Sequence, residues 1–206
     1  MNLALTLALA YMVGAIPFAY ISGHIFRGVD IRTVGDGNSG ASNVLRNIGL
    51  LPGVFVVAGD IGKGAVAIVA ARALGGASLL PLAAGAMTVA GHNWPLWLRC
   101  RGGRGAGPAI GVLLALVPLE MSICIVLAAP AFLATRDMRW CGFAMFVPLP
   151  LLCWGLGQPL AVVAYALGLA CLVGLTHLIT TRRLPVEARN EASMVWVGNR
   201  ATLPAP

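Results

Sequence analysis

Charge is what this chain has least of. Only 10% of its 206 residues are Asp, Glu, Lys or Arg, against about 25% in an average soluble domain. That deficit excludes a soluble globule, and with it a charged disordered chain or a coiled coil. Acidic residues number seven, and Lys63 is the one lysine among 14 basic side chains. Metal-ligand patterns are missing too. Cys100, Cys124, Cys141, Cys153 and Cys171 form no C-x-x-C pair, and the histidines have no carboxylate or thiol at ligand spacing. The expectation is free cysteines packed as small buried apolar groups, with no metal and no cofactor. No Lys or Arg precedes Arg27; without the basic start of a cleavable signal peptide, 1–26 reads as a first membrane span.

What the chain does have is apolar length. Hydrophobic residues make up 59%, and mean hydropathy is +0.87. A bilayer-spanning helix needs about 20 apolar residues, and only helices or closed barrels satisfy their backbone groups in lipid. Apolar stretches at 3–26, 52–74, 77–97, 106–118, 119–134, 142–156 and 159–178 predict an all-α polytopic membrane protein of about seven transmembrane helices. Charge distribution orients them. With the N-terminus outside, alternate breaks place twelve of the 14 basic residues on the cytoplasmic side, together with the C-terminus. Arg72 falls outside, and Lys63 lies within a span. A single span over 106–134 would send Arg136 and Arg139 outside, so a break is expected near Pro118-Leu119-Glu120. The net charge of +7 therefore marks a membrane face, and no nucleic-acid partner is expected. One membrane domain over 1–184 and a cytoplasmic tail over 185–206 complete the expected organisation.

The inner loops are unusual in composition. One runs Gly35-Asp36-Gly37-Asn38-Ser39-Gly40-Ala41-Ser42-Asn43-Val44-Leu45-Arg46. The other runs Gly91-His92-Asn93-Trp94-Pro95, then Arg99-Cys100-Arg101-Gly102-Gly103-Arg104-Gly105. Glycines bare backbone N–H groups to an anion, and a guanidinium grips two phosphate oxygens at once. Two such loops on one face point to a phosphate-bearing substrate. The G-x-G-x-x-G match at Gly35, Gly37 and Gly40 lacks the βαβ context of a dinucleotide site. Gly59 to Gly64 lacks the spacing and the hydroxyl residue of a phosphate loop. Asp60 and Lys63, three apart, pair on one helix face. Two readings of that pair stay open: a packing contact, or a brace beneath the glycine loops. Gly107 and Gly111 have the spacing of close helix contact. His92 and His177 each stand near an arginine-bearing inner segment, where a phosphate donor or general base is needed; His24 reads as interfacial.

Four blocks, in order, resemble the bacterial membrane glycerol-3-phosphate acyltransferases that use acyl phosphate, the PlsY family. Gly37-Asn38-Ser39-Gly40-Ala41-Ser42-Asn43 through Arg46 is similar to G-N-x-G-A-T-N-x-x-R, and Gly59-Asp60-Ile61-Gly62-Lys63-Gly64 to G-D-x-x-K-G. Gly91-His92 through Gly102-Gly103-Arg104-Gly105 is similar to G-H-x-x-P…G-G-K-G, and His177 to Leu184 to H-x-x-N-x-x-R-L. The likeness runs from the first span to about Leu184. It implies transfer of a fatty acyl group from acyl phosphate to the 1-hydroxyl of glycerol 3-phosphate, at the cytoplasmic face of a bacterial inner membrane. The products would be 1-acylglycerol 3-phosphate and phosphate, in the first step of phospholipid synthesis.

By position, the resemblance gives Arg46 and Arg104 the neutralisation of phosphate and His177 the orientation of acyl phosphate. Asp36, Gly37, Asn38, Gly40, Ser42, Asn43, His92, Arg101, Gly102, Gly103 and Thr180 would form the substrate cradle. Acyl phosphate is already activated, so no covalent intermediate is required; a substrate phosphate oxygen or His177 takes the hydroxyl proton. Three positions depart from the pattern. Asp36 stands in place of Ser and puts a negative charge beside the proposed dianion unless Arg46 or Arg104 lies between. Arg104 replaces Lys, and Thr180 replaces Asn. These departures keep open a diverged relative that binds lipid or phosphate without turnover or acylates another acceptor. A small transporter is suggested by span count alone, and the motifs carry no signal for oligomeric state.

Overall fold

The computed structural model describes residues 3–74, 79–135 and 138–182, among which every regular element is helical. Helices α1 (Leu3–Gly14) and α2 (Phe18–Arg27) form one apolar stretch broken at Pro17, whose ring has no N–H to continue a helix. The short α3 (Ala41–Asn47) follows the first glycine loop and leads into α4 (Leu50–Ala73) and α5 (Leu79–Asn93). The break expected near Pro118 is present: α6 (Ala106–Leu116) stops just before Pro118 opens α7 (Pro118–Thr135). Helices α8 (Met138–Phe146), α9 (Leu149–Gly155) and α10 (Leu160–Arg182) complete the described chain.

Each expected apolar stretch is thus helical, with three differences, the first being the break at Pro17 within 3–26. The stretch 142–156 divides between α8 and α9 at Val147-Pro148, and the stretch 77–97 leaves the helix after Asn93, because the residue before Pro95 is pushed out of helical geometry. Four stretches, Leu3–Arg27, Leu50–Ala73, Pro118–Thr135 and Leu160–Arg182, are long and apolar enough to cross a bilayer. Outer faces carry exposed Leu5, Leu9, Val66, Val126, Leu160 and Leu167, a surface that suits lipid. The tail over 185–206 lies outside the described residues.

Small residues bring the helices together. A Cβ on Gly64 would strike the Pro108 carbonyl, and one on Gly111 the Ile61 carbonyl, so α4 and α6 touch backbone to backbone. Gly14 of α1 lies against the Thr88 backbone of α5 in the same way, and Thr88 Oγ1 donates to Ala10 O at 3.1 Å. Lipid removes the hydrophobic drive between helices, so close van der Waals contact and such hydrogen bonds hold them. The largest core cluster includes Ile68, Val112, Leu113, Met121 and Leu149. Arg72 donates Nη1 to Ala115 O at 2.7 Å, satisfying a carbonyl at the C-terminal end of α6 with a favourable charge. The cysteines are free as expected, but only Cys124 and Cys153 are buried. Cys100 in its loop and Cys171 on an outward face of α10 are exposed, a correction to burial for all five: neither side chain faces a packed neighbour.

Candidate functional site

The two glycine loops meet at the end of the bundle away from Arg72. Asp30 caps the turn Ile31–Thr33 by accepting from Arg32 N at 2.9 Å, and the two side chains pair at 2.7 Å. Hydrogen bonding from Arg32 holds the Asp30 carboxyl below the usual aspartate range. Arg32 Nη1 then crosses to the second loop, donating to Leu98 O at 3.2 Å. Thr176 of α10 donates Oγ1 to Arg104 O at 2.8 Å. Three segments far apart in sequence are thereby pinned together, with His177 next to the α10 anchor.

At the centre stands Asp36. Its Oδ2 lies 3.0 Å from Arg104 Nη2 and 3.3 Å from Arg46 Nη2. The three side chains are 2%, 10% and 9% exposed respectively. Arg46 Nη1 also donates to Ser42 Oγ at 2.7 Å, one turn back along α3. Burial pushes the Arg104 guanidinium down from its ordinary value, and the Asp36 carboxylate opposes that shift. The site keeps a net positive charge, two guanidiniums to one carboxylate. Among the described residues, Arg104 Nε and Asn38 Oδ1 are buried without a hydrogen-bond partner. An unpaired buried polar group costs about 1–3 kcal/mol, so each of these atoms calls for a partner.

The loop around Asp36 is shaped by residues expected to touch substrate. Asn43 is fully buried, its Nδ2 sharing two N–H donors among Ile31 O, Val34 O and Asn38 O at 2.9–3.1 Å while Oδ1 accepts from Asn47 Nδ2 at 2.7 Å. Asn43 is thus placed as a strut beneath the loop. The glycine amides are engaged as well: Gly37 N donates to Val34 O at 3.0 Å, Gly102 N to Asn93 O at 3.2 Å and Gly103 N to His92 O at 3.1 Å. A tightly folded loop must satisfy its own backbone donors, so these three N–H groups are engaged and the positive charge of the site rests on the arginines. Gly40 opens α3, and Arg101 is exposed at the rim.

His92 sits elsewhere than beside the arginines. Lys63 Nζ lies 2.8 Å from Asp60 Oδ1, 2.8 Å from His92 Nδ1 and 3.1 Å from Ile16 O, a carbonyl released by the Pro17 break. The His92 Nε2 edge fills the space a Gly103 side chain would need, so the buried cluster supports the second glycine loop from below while joining the α1–α2 break, α4 and α5. A small cavity lined by Ile16, Phe18, Ser39, His92 and Gly102 lies between cluster and loops. Thr180 donates Oγ1 back to Thr176 O at 2.6 Å, toward its own helix. Thr176 was not among the residues the motifs point to; its one signal is a hydroxyl next to His177.

The family described as Glycerol-3-phosphate acyltransferase matches residues 4–185. Glycerol-3-phosphate acyltransferase 4 of Dehalococcoides mccartyi (strain ATCC BAA-2266 / KCTC 15142 / 195) is 41% identical over 175 residues, covering 85% of this chain and 95% of the relative. Glycerol-3-phosphate acyltransferase of Synechococcus sp. (strain CC9902) is 34% identical over 181 residues, covering 87% and 90%. Among solved structures, the glycerol 3-phosphate form of PlsY (YgiH), an integral membrane glycerol 3-phosphate acyltransferase, superposes with a TM-score of 0.81 at 28% identity, covering 94% of this chain and 95% of that one. Its lysophosphatidic acid form gives 0.78.

Proposed function

Since the chain belongs to the glycerol-3-phosphate acyltransferase family, we propose that it moves a fatty acyl group from acyl phosphate to the 1-hydroxyl of glycerol 3-phosphate. The observation that carries this reading is the pair of buried arginines, Arg46 and Arg104, which separate loops bring to one anionic seat. In the reaction the hydroxyl oxygen bonds to the acyl carbon, the bond from that carbon to phosphate oxygen breaks, and inorganic phosphate leaves with the electron pair. Arg46 and Arg104 neutralise phosphate and stabilise charge developing on the reacting oxygens; fixed donors in a largely dry site do this without reorganising. His177 orients the acyl phosphate from α10. The hydroxyl proton passes to a substrate phosphate oxygen, with His177 as the second candidate. Asn38 Oδ1 is an acceptor for a substrate hydroxyl.

The site lies on the cytoplasmic face of a bacterial inner membrane, with about seven spans, the N-terminus outside and one membrane domain over 1–184. Supporting this are the gathering of Arg32, Arg46 and Arg104 at one end and the placement of Arg72 at the other. The test is direct. Purified protein given acyl phosphate and labelled glycerol 3-phosphate yields labelled lysophosphatidate, and Arg46→Ala removes the activity. Folded protein that makes no product refutes the reading. Asp36 bridging the arginines favours one second reading, a relative that binds phosphate without turnover, and the same assay separates the two.

A further inference from the structure

We propose that Asp36 is an internal stand-in for substrate phosphate, seated between Arg46 and Arg104, and that a phosphate monoester binds by exchanging with it. The inference rests on the phosphate-site reading above. Both arginines bring Nη2 to one oxygen, Asp36 Oδ2, Arg104 as a hydrogen bond at 3.0 Å and Arg46 as an ion pair at 3.3 Å, and two guanidiniums around one oxygen also suit a phosphate oxygen. The carboxylate is almost fully buried, so little water separates it from an entering anion. Carboxylate and dianion cannot both hold these donors, because like charges at contact distance repel most where solvent is excluded.

The surroundings favour exchange over a fixed block. Asp36 is flanked by Gly35 at φ +59 and Gly37 at φ +66, the residue type whose backbone turns most freely. Its Oδ1 is held by Asn38 N at a long 3.3 Å. Arg104 Nε, buried and without a partner among the described residues, is a donor that Asp36 does not use and a phosphate with several oxygens reaches. Exchange also selects the ligand class. A dianionic monoester displacing Asp36 gains charge and a third donor, whereas a monoanionic diester gains little over the carboxylate it replaces.

Calorimetric titration with inorganic phosphate and with dimethyl phosphate, on wild type, Asp36→Asn, Asp36→Ser and Asp36→Glu, tests this. Expected are affinities for inorganic phosphate about tenfold tighter in the Asn and Ser variants, near wild type in Glu, and a smaller gain for dimethyl phosphate. The KM for glycerol 3-phosphate falls in parallel. Unchanged or weaker phosphate binding in both neutral variants overturns the exchange while leaving acyl transfer standing. Tighter binding as expected, in protein that transfers no acyl group, leaves the exchange standing and overturns the acyltransferase reading; no phosphate binding in any form overturns both. If neither neutral variant folds, infrared difference spectra of wild type decide: saturating phosphate shifts a carboxylate band, and a flat carboxylate region refutes the proposal.

Discussion

Arg104 Nη2 meets Asp36 Oδ2 at 3.0 Å across 68 residues of sequence. That contact ties the loop before α6 to the loop before α3, and Arg46 closes on the same carboxylate oxygen. One of the three residues that depart from the resembled pattern is therefore the one around which the two arginines gather. Removing either arginine strips a buried donor from that seat.

Arg46→Ala and Arg104→Ala each reduce kcat/KM for acyl transfer by at least about 100-fold, the scale of losing one fixed donor to a developing oxyanion. Arg104→Lys keeps the charge but not the planar fork, and it retains more activity than Arg104→Ala. Steady-state kinetics with labelled glycerol 3-phosphate measure all three, and activity of Arg104→Ala equal to wild type contradicts the assignment.

Lys63→Met leaves Asp60 buried beside His92 with its principal cation gone. The expected loss is about 3–5 kcal/mol, because one uncompensated charge remains in the bundle. Adding Asp60→Leu to Lys63→Met recovers part of it, which a double-mutant cycle in detergent reads as coupling. Additive losses would show that the two side chains do not act as a pair.

Gly64→Ala and Gly111→Ala each drive a methyl into the backbone of the facing helix, costing about 1–3 kcal/mol by overpacking. Gly62→Ala on the same helix meets open space and is neutral or slightly stabilising. Thermal unfolding of the three variants separates them; equal midpoints refute the close α4–α6 contact.

Thr176→Val removes the hydroxyl that donates to Arg104 O while preserving side-chain shape. Stability falls by about 1 kcal/mol, and KM for glycerol 3-phosphate rises several-fold because the Arg104 backbone is less firmly placed. Thr176→Ser restores both. An unchanged KM in Thr176→Val would show that α10 does not position Arg104.

Asp30 supplies a pH dependence. Its carboxyl titrates below the ordinary value of 3.8 because Arg32 hydrogen-bonds the charged form. A lowered folded value means that its stabilisation is complete above the unfolded value and is lost as pH falls through the folded one. The protection factors of the 31–34 amides against hydrogen exchange therefore fall below about pH 4 in wild type, and Asp30→Asn shows the lower protection already at neutral pH. Identical protection in both proteins removes the role of this cap.

Much of the architecture was legible because a bilayer reads sequence in one dimension. Hydrophobic run length set the helices, Pro118 set the expected break between α6 and α7, and the spacing of Gly107 and Gly111 announced a close contact that the structure shows against α4; the breaks at Pro17 and Pro148 were not read from the sequence. The anion loops were legible too, as glycines next to arginines. The pairing of side chains was not. Asn43 and His92 have the chemistry to touch phosphate, yet burial makes one a loop strut and turns the other toward Asp60 and Lys63.

Composition and charge asymmetry by themselves determined an all-helical membrane protein with its arginine-rich loops expected on one face, and the resemblance of its motifs implied an acyltransferase. Only tertiary structure decided that Arg46 and Arg104 converge on Asp36, that Thr176 anchors the second loop, and that the Gly37, Gly102 and Gly103 amides are spent on nearby backbone carbonyls. The physical reason is the range of the forces. Partition into lipid depends on each segment's own side chains, whereas a hydrogen bond or ion pair exists only when helix packing brings two distant residues within about 3 Å.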